Sequence, residues 1–306
     1  MPITTRSVTV DAGQIGRVDL VVRRVTDSSR SQAAGMIDHG CVSINGVRCD
    51  STGKTVAIGD VVAVCYNTDQ RYKEKKRSWD DRTFRVVFED SYLIVVDKSA
   101  GTLTVPTENN ERNSLVDRVS VYLSHSRGNR DAWVVHRLDR VVSGLLVFGK
   151  EEIYAKQLIE QFKHQKPERR YIAIVAGVVS EDEGTFRDHL ATGNNLDRYV
   201  TAPSKGTEVA VTHYKVLKRM SDTTLVEIRL ETGKRNQIRV QFAQAGHPVI
   251  GDPRYKKDQA THRHWVRSRI ALHANLLSFR HPVTGEPMTF ESPVPPAMEK
   301  FGKHAG

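Results

Sequence analysis

Cysteine is scarce in this chain of 306 residues: the three present, Cys41, Cys49 and Cys65, are an odd number crowded into one short region, never in a Cys-x-x-Cys spacing. That excludes a disulfide framework, a thiolate zinc site and a redox dithiol, and leaves the three as reduced core or strand residues. No apolar run approaches the span a membrane helix requires. Met1 to Gln14 carries neither the apolar stretch of a secretory leader nor the arginine-rich amphipathic pattern of a transit peptide. A cytoplasmic protein with no membrane partner is therefore expected. Acidic residues are in the minority, 36 Asp and Glu against 46 Lys and Arg, a net charge of +10. An anionic partner follows, and without a lipid-binding helix nucleic acid is the natural one.

Several familiar motifs are also missing. There is no internal repeat of fixed period and no dinucleotide fingerprint. Gly144 to Lys150 spells most of a phosphate-binding loop, but Glu151 follows the lysine and the interior reads as a strand, where a turn of free amides is needed. His136, Asp139 and Ser143 are the residue types of a hydrolase triad, yet no Gly-x-Ser-x-Gly elbow surrounds Ser143. His262 and His264 lack an evident third ligand, and Arg263, Trp265, Arg267 and Arg269 beside them favour a basic surface, so no metal is expected.

The chain is long enough for two domains. In the first, Arg17 to Val22 opens a helix and Ser29-Arg30-Ser31 caps a second, with Ala33, Ala34, Met36 and Ile37 facing inward and His39-Gly40 ending it. Cys41 to Ile44 and Val61 to Val64 are short strands, the first closed by an Asn45-Gly46 turn. Residues 1–66 are assigned to this small α/β module. Residues 67–83, with Arg71 to Arg77 almost purely polar, read as a basic linker whose cations beside Tyr72 and Trp79 would suit a phosphate backbone. From residue 84 to 306 strands dominate: Phe84–Phe88, Leu93–Val96, Leu145–Phe148, Tyr171–Val175, Val209–Val216 and Leu225–Leu230. The clearest helices are Glu152–His164 and Arg235–Ala245. Strands that mostly follow one another without helical crossovers predict an α+β domain with a mixed, largely antiparallel sheet.

Within that domain the tetrad His136-Arg137-Leu138-Asp139 runs directly into the apolar strand of Leu145 to Phe148. A carboxylate at the mouth of a core strand requires a cation beside it. Thr232-Gly233-Lys234-Arg235-Asn236-Gln237-Ile238-Arg239 supplies one: a strand ends, a helix begins, and Arg239 lies at the edge of the stripe formed by Ile238 and Phe242. A pair between Asp139 and Arg239 would favour the ionised acid that a nucleophile or base needs.

With these motifs come Phe88-Glu89-Asp90, Leu93 to Lys98 with Gly101, Ser143 to Leu146, Tyr171-Ile172-Ala173 with Gly177, Gly246-His247-Pro248 with Gly251-Asp252, and Leu272-His273-Ala274. In this order they resemble an RluA-type pseudouridine synthase of the large-subunit ribosomal RNA subgroup. The resemblance extends to an N-terminal RNA-binding domain of the kind named after a small-subunit ribosomal protein, and it covers nearly the whole chain.

The resemblance implies the pseudouridine synthase fold and isomerisation of uridine to pseudouridine within RNA, with no cofactor. The uracil is detached from its sugar, turned and reattached through carbon 5. Asp139 is then the catalytic residue, attacking the anomeric carbon or drawing a proton from the carbon next to it. Tyr171 lies against the uracil and takes part in removing the carbon 5 proton, Arg239 pairs with the aspartate, and Arg137 fills the space of the extruded base. His136, as a positioning residue, joins Leu138, Lys234 and Gln237 as candidates for substrate binding. In the N-terminal module Arg17, Arg30, Ser31 and Asn45 fit the RNA-binding pattern, with Arg23, Arg24 and Arg30 placed for phosphate contact. The expected partner is large-subunit ribosomal RNA in preference to transfer RNA, and the expected state a monomer.

The chemistry of the residue types agrees with these roles. An enzyme acting on a base must draw it from the stack, a guanidinium can stack in the gap, and a tyrosine joins an aromatic face to a hydroxyl. The sequence departs from the family at Val141-Val142, where a polar pair ending in threonine is usual, at Asn236 in place of histidine, and at Lys234 in place of arginine. If the valines closed the pocket, a catalytically silent RNA-binding or ribosome-assembly factor would be the alternative.

Overall fold

The computed structural model describes residues 3–49, 51–70, 72, 81–107, 113–127, 131–164, 167–193, 197–265 and 268–304. The chain divides into two compact units, Met1–Trp79 and Asp80–Gly306.

The first unit runs β1 (Ile3–Thr9), β2 (Gly16–Arg17), α1 (Val18–Thr26), α2 (Arg30–Asp38), β3 (Val42–Ile44), β4 (Val47–Arg48), β5 (Thr55–Val56) and β6 (Val61–Asn67). A four-stranded sheet in the order β1-β6-β3-β4 is accompanied by the small β2-β5 pair. Ser29 caps α2 in a reciprocal capping box with Gln32, worth about 1 kcal/mol. At its other end Gly40 (φ +74°) turns left-handed. The Cys41 and Gly40 amides donate back to the carbonyls of Met36 and Ile37, a Schellman stop. Asn45 and Gly46, at φ 52° and 80°, make the two-residue hairpin between β3 and β4. Val18, Val22, Ile37, Val62 and Val64 join the buried core.

Two features of this unit differ from the sequence reading. β1 went unrecognised because most of its side chains are exposed; backbone pairing along β6, from Ile3 opposite Asn67 to Thr9 opposite Val61, holds it instead. Tyr72, read as part of a solvated linker, is buried in this core, and its hydroxyl accepts the Asn67 amide hydrogen at 2.8 Å. Arg71, residues 73–77 and Trp79 lie outside the described residues.

The second unit continues with β7 (Phe84–Glu89), β8 (Leu93–Lys98), α3 (Leu115–Arg127), β9 (Trp133–Val134), β10 (Ser143–Gly149), α4 (Glu152–His164), β11 (Glu168–Ala176) and β12 (Glu183–Thr192). Then come β13 (Arg198–Thr201), β14 (Glu208–Arg219), β15 (Thr223–Leu230), α5 (Gln237–Gln244), α6 (Lys257–Ala260), β16 (Leu272–Arg280), β17 (Pro287–Glu291) and α7 (Pro296–His304). One sheet of eleven strands has the order β13-β12-β14-β15-β11-β16-β10-β8-β7, with β17 beside β16 and β9 beside β10. Among the described residues its pairings are antiparallel except that of β10 with β16. The fold is therefore α+β with a mixed, largely antiparallel sheet.

β10 is buried along its whole length, and α4 covers one face through Leu158 against Leu93, Leu145 and Val147. Gly144 (φ +122°) is obligatory there, since a Cβ would collide with the backbone of Ala274 where the two parallel strands meet. Buried Lys150 at the end of β10 pairs with Glu89 at 2.7 Å, which accounts for the lysine of the false phosphate loop. A polar chain crosses the sheet at the same level. Arg269 Nη2 donates to Ser143 Oγ at 2.9 Å, Ser143 Oγ meets His273 Nδ1 at 2.9 Å, His273 Nε2 meets Ser292 Oγ at 3.1 Å, and Ser292 donates to Asp97 at 2.6 Å.

Candidate active site

The tetrad 136–139 is an irregular segment just before β10, held from beneath by the loop that follows β8. Thr104 Oγ1 donates to the Leu138 carbonyl at 2.7 Å and accepts the Leu138 amide hydrogen at 3.2 Å. Gly101 donates its amide hydrogen to the Arg140 carbonyl at 2.7 Å, and Arg140 Nε returns a bond to the Gly101 carbonyl at 3.0 Å. Lys98, fully buried at the end of β8, directs its Nζ at the carbonyls of Ser99, Thr102 and Arg140. Burial pushes its pKa down to about 7, the attraction of Asp139 opposing the shift and Arg269 adding to it. The backbone on both sides of Asp139 is thus fixed by bonds that take nothing from its carboxylate.

The carboxylate itself meets Arg239. Arg239 Nη1 donates to Asp139 Oδ2 at 2.8 Å and to Asn236 Oδ1 at 3.0 Å, while Nε and Nη2 grip Asp252 at 2.6 and 2.9 Å. Asp252 also accepts the amide hydrogens of Arg254 and Tyr255. Burial opposes the charge on Arg239, but the hydrogen bonds and field of Asp252, and after it Asp139, outweigh burial and raise its pKa. The helix differs from expectation. Asn236 takes a left-handed backbone (φ 56°), so α5 starts at Gln237 instead of Arg235, and it is buried on all sides from Gln237 to Ala243. Arg239 sits inside the protein, not at the edge of an apolar stripe, and the face of Tyr255 lies 5.3 Å from its guanidinium carbon.

Above this pair opens a cavity of about 610 Å³, lined among others by Asp139, Val142, Phe162, Arg169, Tyr171 and Leu272. Asp139 keeps 24% of its side chain exposed, against 0% for Asp252. Val142 is one wall of the cavity and leaves it open. Tyr171 is buried, and its pKa is raised by that burial; Arg169 pulls it down and Asp139 pushes it further up. His136 stacks on Phe162 (4.6 Å, 26°), and its Nε2 accepts the Val147 amide hydrogen at 3.2 Å. Burial, with Arg169 adding to it, drives its pKa to about 3, so it is a neutral, anchored ring. Arg137 and Leu138 both line the cavity, Arg137 exposed and Leu138 buried.

Gln237 and Lys234, expected to bind substrate, both line the cavity and both already have partners within the protein. Gln237 is buried, and all four hydrogen-bonding positions of its amide are used inside the protein. Oε1 accepts from Lys234 N and Thr232 Oγ1, and Nε2 donates to Val211 O and Thr212 Oγ1. It builds the turn into α5 at the wall of the cavity. Lys234 borders the cavity but pairs with Glu208 at 2.9 Å, an anion that also holds Arg198 at 2.6 Å.

In the first unit Arg17, Arg30 and Ser31 line one concavity with Asp19, Ser51 and Thr52, although Arg17 is bound to Asp19 through two hydrogen bonds of 3.0 Å. Arg23 and Arg24 are exposed on α1, outside that concavity, and Arg24 donates to the Gly13 carbonyl at 3.0 Å. Asn45 is exposed, and its amide ties the hairpin to Asp60 and Val61, both at 2.8 Å.

Four residues of the site escaped the sequence reading: Lys98, Thr104, Asp252 and Arg169. Lys98 and Asp252 stood inside quoted motifs without a role, and only the fold puts them beside Asp139 and Arg239. Arg169 had a readable signal, since it precedes Tyr171 by two on a strand and shares its face. His262 reaches Asp222 at 3.1 Å and lies 5.6 Å, ring to ring, from His264. Among the described residues no group of three or more His, Cys, Asp or Glu could hold a metal ion, and no helix is long and apolar enough to cross a membrane.

A paired, partly exposed aspartate at the floor of an open cavity, on this sheet, is the candidate centre. Residues 92–244 match the RNA pseudouridylate synthase family and residues 17–62 match the S4 domain. The chain belongs to the RNA pseudouridylate synthase family and carries an S4 domain at its N-terminal side, as its RluA-type resemblance implied. Among its relatives, "Ribosomal large subunit pseudouridine synthase D" of Zymomonas mobilis is 33% identical over 98% of this chain and 97% of its own length. "Uncharacterized RNA pseudouridine synthase YlyB" of Bacillus subtilis is 33% identical over 90% of this chain and 89% of its own. The solved structure of human RNA Pseudouridylate Synthase Domain Containing 4 has the same fold, with TM-score 0.59 and 21% identity over 70% of this chain and 90% of that one.

Proposed function

We propose that Asp139 begins the isomerisation of uridine in large-subunit ribosomal RNA, and that the enzyme does so as a cytoplasmic monomer. The observation that carries this reading is the partly exposed Asp139 carboxylate, held at 2.8 Å by an arginine that Asp252 grips at two points. Arg239 keeps Asp139 aimed into the cavity without closing over it. The target base must leave the stack to reach that floor, at a cost of a few kcal/mol, which favours loops and bulges of a structured RNA. Exposed Arg137 at the rim is suited to fill the gap left behind.

Asp139 either attacks the anomeric carbon or takes the proton from the neighbouring carbon. In both routes the bond to nitrogen 1 breaks and its electron pair leaves with the uracil. The base turns and carbon 5 bonds to the anomeric carbon, displacing the Asp139 carboxylate in the first route and with the neighbouring sugar carbon taking its proton back from Asp139 in the second; carbon 5 then loses its hydrogen as a proton while nitrogen 1 gains one. Tyr171, against the base, is the group for the carbon 5 proton, and to take it the phenol must first release its own. Displacement and proton transfer need no cofactor or metal. Arg30, Ser31 and Arg17 supply the S4 domain's phosphate contacts, with Arg23 and Arg24 adding charge along α1. The choice of ribosomal over transfer RNA rests on the name of the Zymomonas mobilis relative.

The test is tritium release from bulk cellular RNA labelled at uracil carbon 5, prepared from cells lacking the protein. Wild type should release tritium and Asp139→Asn should not, and sequencing of the reacted RNA locates the site. Binding without release from any RNA would leave a silent assembly factor, a reading that the open cavity beside Val142 argues against.

A further inference from the structure

We propose that Arg169 is a further catalytic residue, the cation that receives the detached uracil as an anion and donates hydrogen bonds to its carbonyl oxygens while it turns. The proposal rests on the synthase reading above. Arg169 lies on β11 two residues before Tyr171 and lines the same cavity. Its guanidinium carbon is 5.8 Å from the centre of the Phe162 ring, and its Nη1 is so near Gly233 that a Cβ there would strike it. Its Nε is shut off from solvent without a hydrogen-bond partner. Among the described residues Arg169 has no carboxylate within ion-pair distance, whereas its neighbour Arg170 pairs with Glu168 and Glu227, and Arg239 with Asp139 and Asp252.

A partly buried cation without a counter-charge is costly, and it is well placed where negative charge arrives during the reaction. The family reaction delivers such a charge. When the bond to nitrogen 1 breaks, its electron pair spreads over nitrogen 1 and both carbonyl oxygens of the ring. The Phe162 ring supports the guanidinium from one side, and Gly233 gives its N–H edge room. The neutral base before bond breaking gains less from that edge than the anion does, so the contribution falls on the chemical step.

The experiment follows single turnovers of the full chain at saturating RNA on two substrates from cells lacking the protein: RNA tritiated at uracil carbon 5, and the same RNA substituted with 5-fluorouridine, scored by loss of the fluorinated nucleoside. RNA affinity is measured across salt concentrations in parallel. Arg169→Met should slow the uridine reaction on the order of 10²–10³-fold, with affinity and its salt slope unchanged, and Arg169→Lys should recover part of the rate. Fluorine makes the departing base a weaker base, so the deficit of Arg169→Met should shrink on the fluorinated RNA. Gly233→Ala should slow the wild type by displacing the guanidinium and add nothing to Arg169→Met.

An Arg169→Met rate equal to wild type, or equal deficits on the two bases, overturns the proposal. So does a loss of affinity whose salt slope falls by about one at an unchanged saturated rate, the mark of a phosphate contact. If Arg169→Met does not fold, Arg169→Lys and Gly233→Ala carry the same comparison. A wild type that releases no tritium would instead remove the synthase reading, and this proposal with it.

Discussion

Replacing Asp252 by asparagine keeps the shape of the residue but turns one of its acceptors into a donor. Oδ2 accepts Arg239 Nε at 2.6 Å, and Oδ1 accepts Arg239 Nη2 at 2.9 Å together with the amide hydrogens of Arg254 and Tyr255. Whichever way the new amide is turned, an NH₂ group faces an N–H, and Arg239 loses the negative charge that offsets its burial. Breaking a buried pair from one side costs about 3–5 kcal/mol. The unit concerned spans Asp80–Gly306. For a unit of that size each kcal/mol lowers the melting temperature by roughly 2–4 °C, so a fall of about 6–20 °C is expected. Asp139→Asn is the control: its carboxylate is 24% exposed, and Arg239 stays gripped by Asp252, so the cost should be about 1 kcal/mol or less. The two carboxylates thus separate stability from chemistry. Thermal unfolding followed by circular dichroism, with tritium release on the same samples, reads both. An Asp252→Asn protein that melts with the wild type and retains its rate would refute the view that Asp252 anchors Arg239.

Lys98 predicts a pH effect of definite sign. Its folded pKa of about 7 lies below the ordinary 10.5, so the unfolded chain binds its proton more tightly, and the Lys98 contribution to stability rises with pH between about 7 and 10.5. Urea midpoints at pH 7 and 9.5 should show this rise, and Lys98→Met should flatten it whatever it does to absolute stability. His136, already neutral with a pKa near 3, should contribute no limb to the rate profile between pH 5 and 8; its imidazole carbon shifts in NMR should stay constant across that window. Gly144→Ala should destabilise the second unit by several kcal/mol or prevent its folding, since both the positive φ and the Ala274 backbone oppose a Cβ; soluble yield and melting temperature report it. Arg30→Ala should lower RNA affinity and reduce the slope of log affinity against log salt by about one, with the single-turnover rate at saturation unchanged.

What the sequence disclosed follows the strength of its periodicities. α4 was legible from end to end because Glu152 to His164 alternates apolar and charged faces at helical spacing, and the hairpin at Asn45-Gly46 because few other residues tolerate two consecutive positive φ angles. β1 and β12 were not, because most of their side chains are exposed or half-exposed and carry no strong apolar stripe. The approach of Arg239 to Asp139 was foreseeable as a need for a cation. The depth of Arg239 was not, because it depends on Asp252, thirteen residues further on, folding back over α5. That every hydrogen-bonding position of the Gln237 amide is taken up inside the protein was not legible either, because its partners Val211 and Thr212 come from a distant strand.

The chain from Arg269 to Asp97 admits one arrangement of its hydrogens. Ser292 has a single hydroxyl hydrogen and gives it to Asp97, so its oxygen must receive one from His273 Nε2. His273 therefore carries its proton on Nε2 alone, Nδ1 must be the acceptor, and the Ser143 hydroxyl must point at it, leaving the serine oxygen to take the Arg269 hydrogen. Burial holds the His273 pKa down to about 4, the field of Asp97 resisting and that of Arg269 assisting, so the ring gains no second proton at neutral pH. The row of groups is a one-way latch: every member knows its direction, none can pass a proton along, and four separate segments of the catalytic unit are locked in mutual register by it.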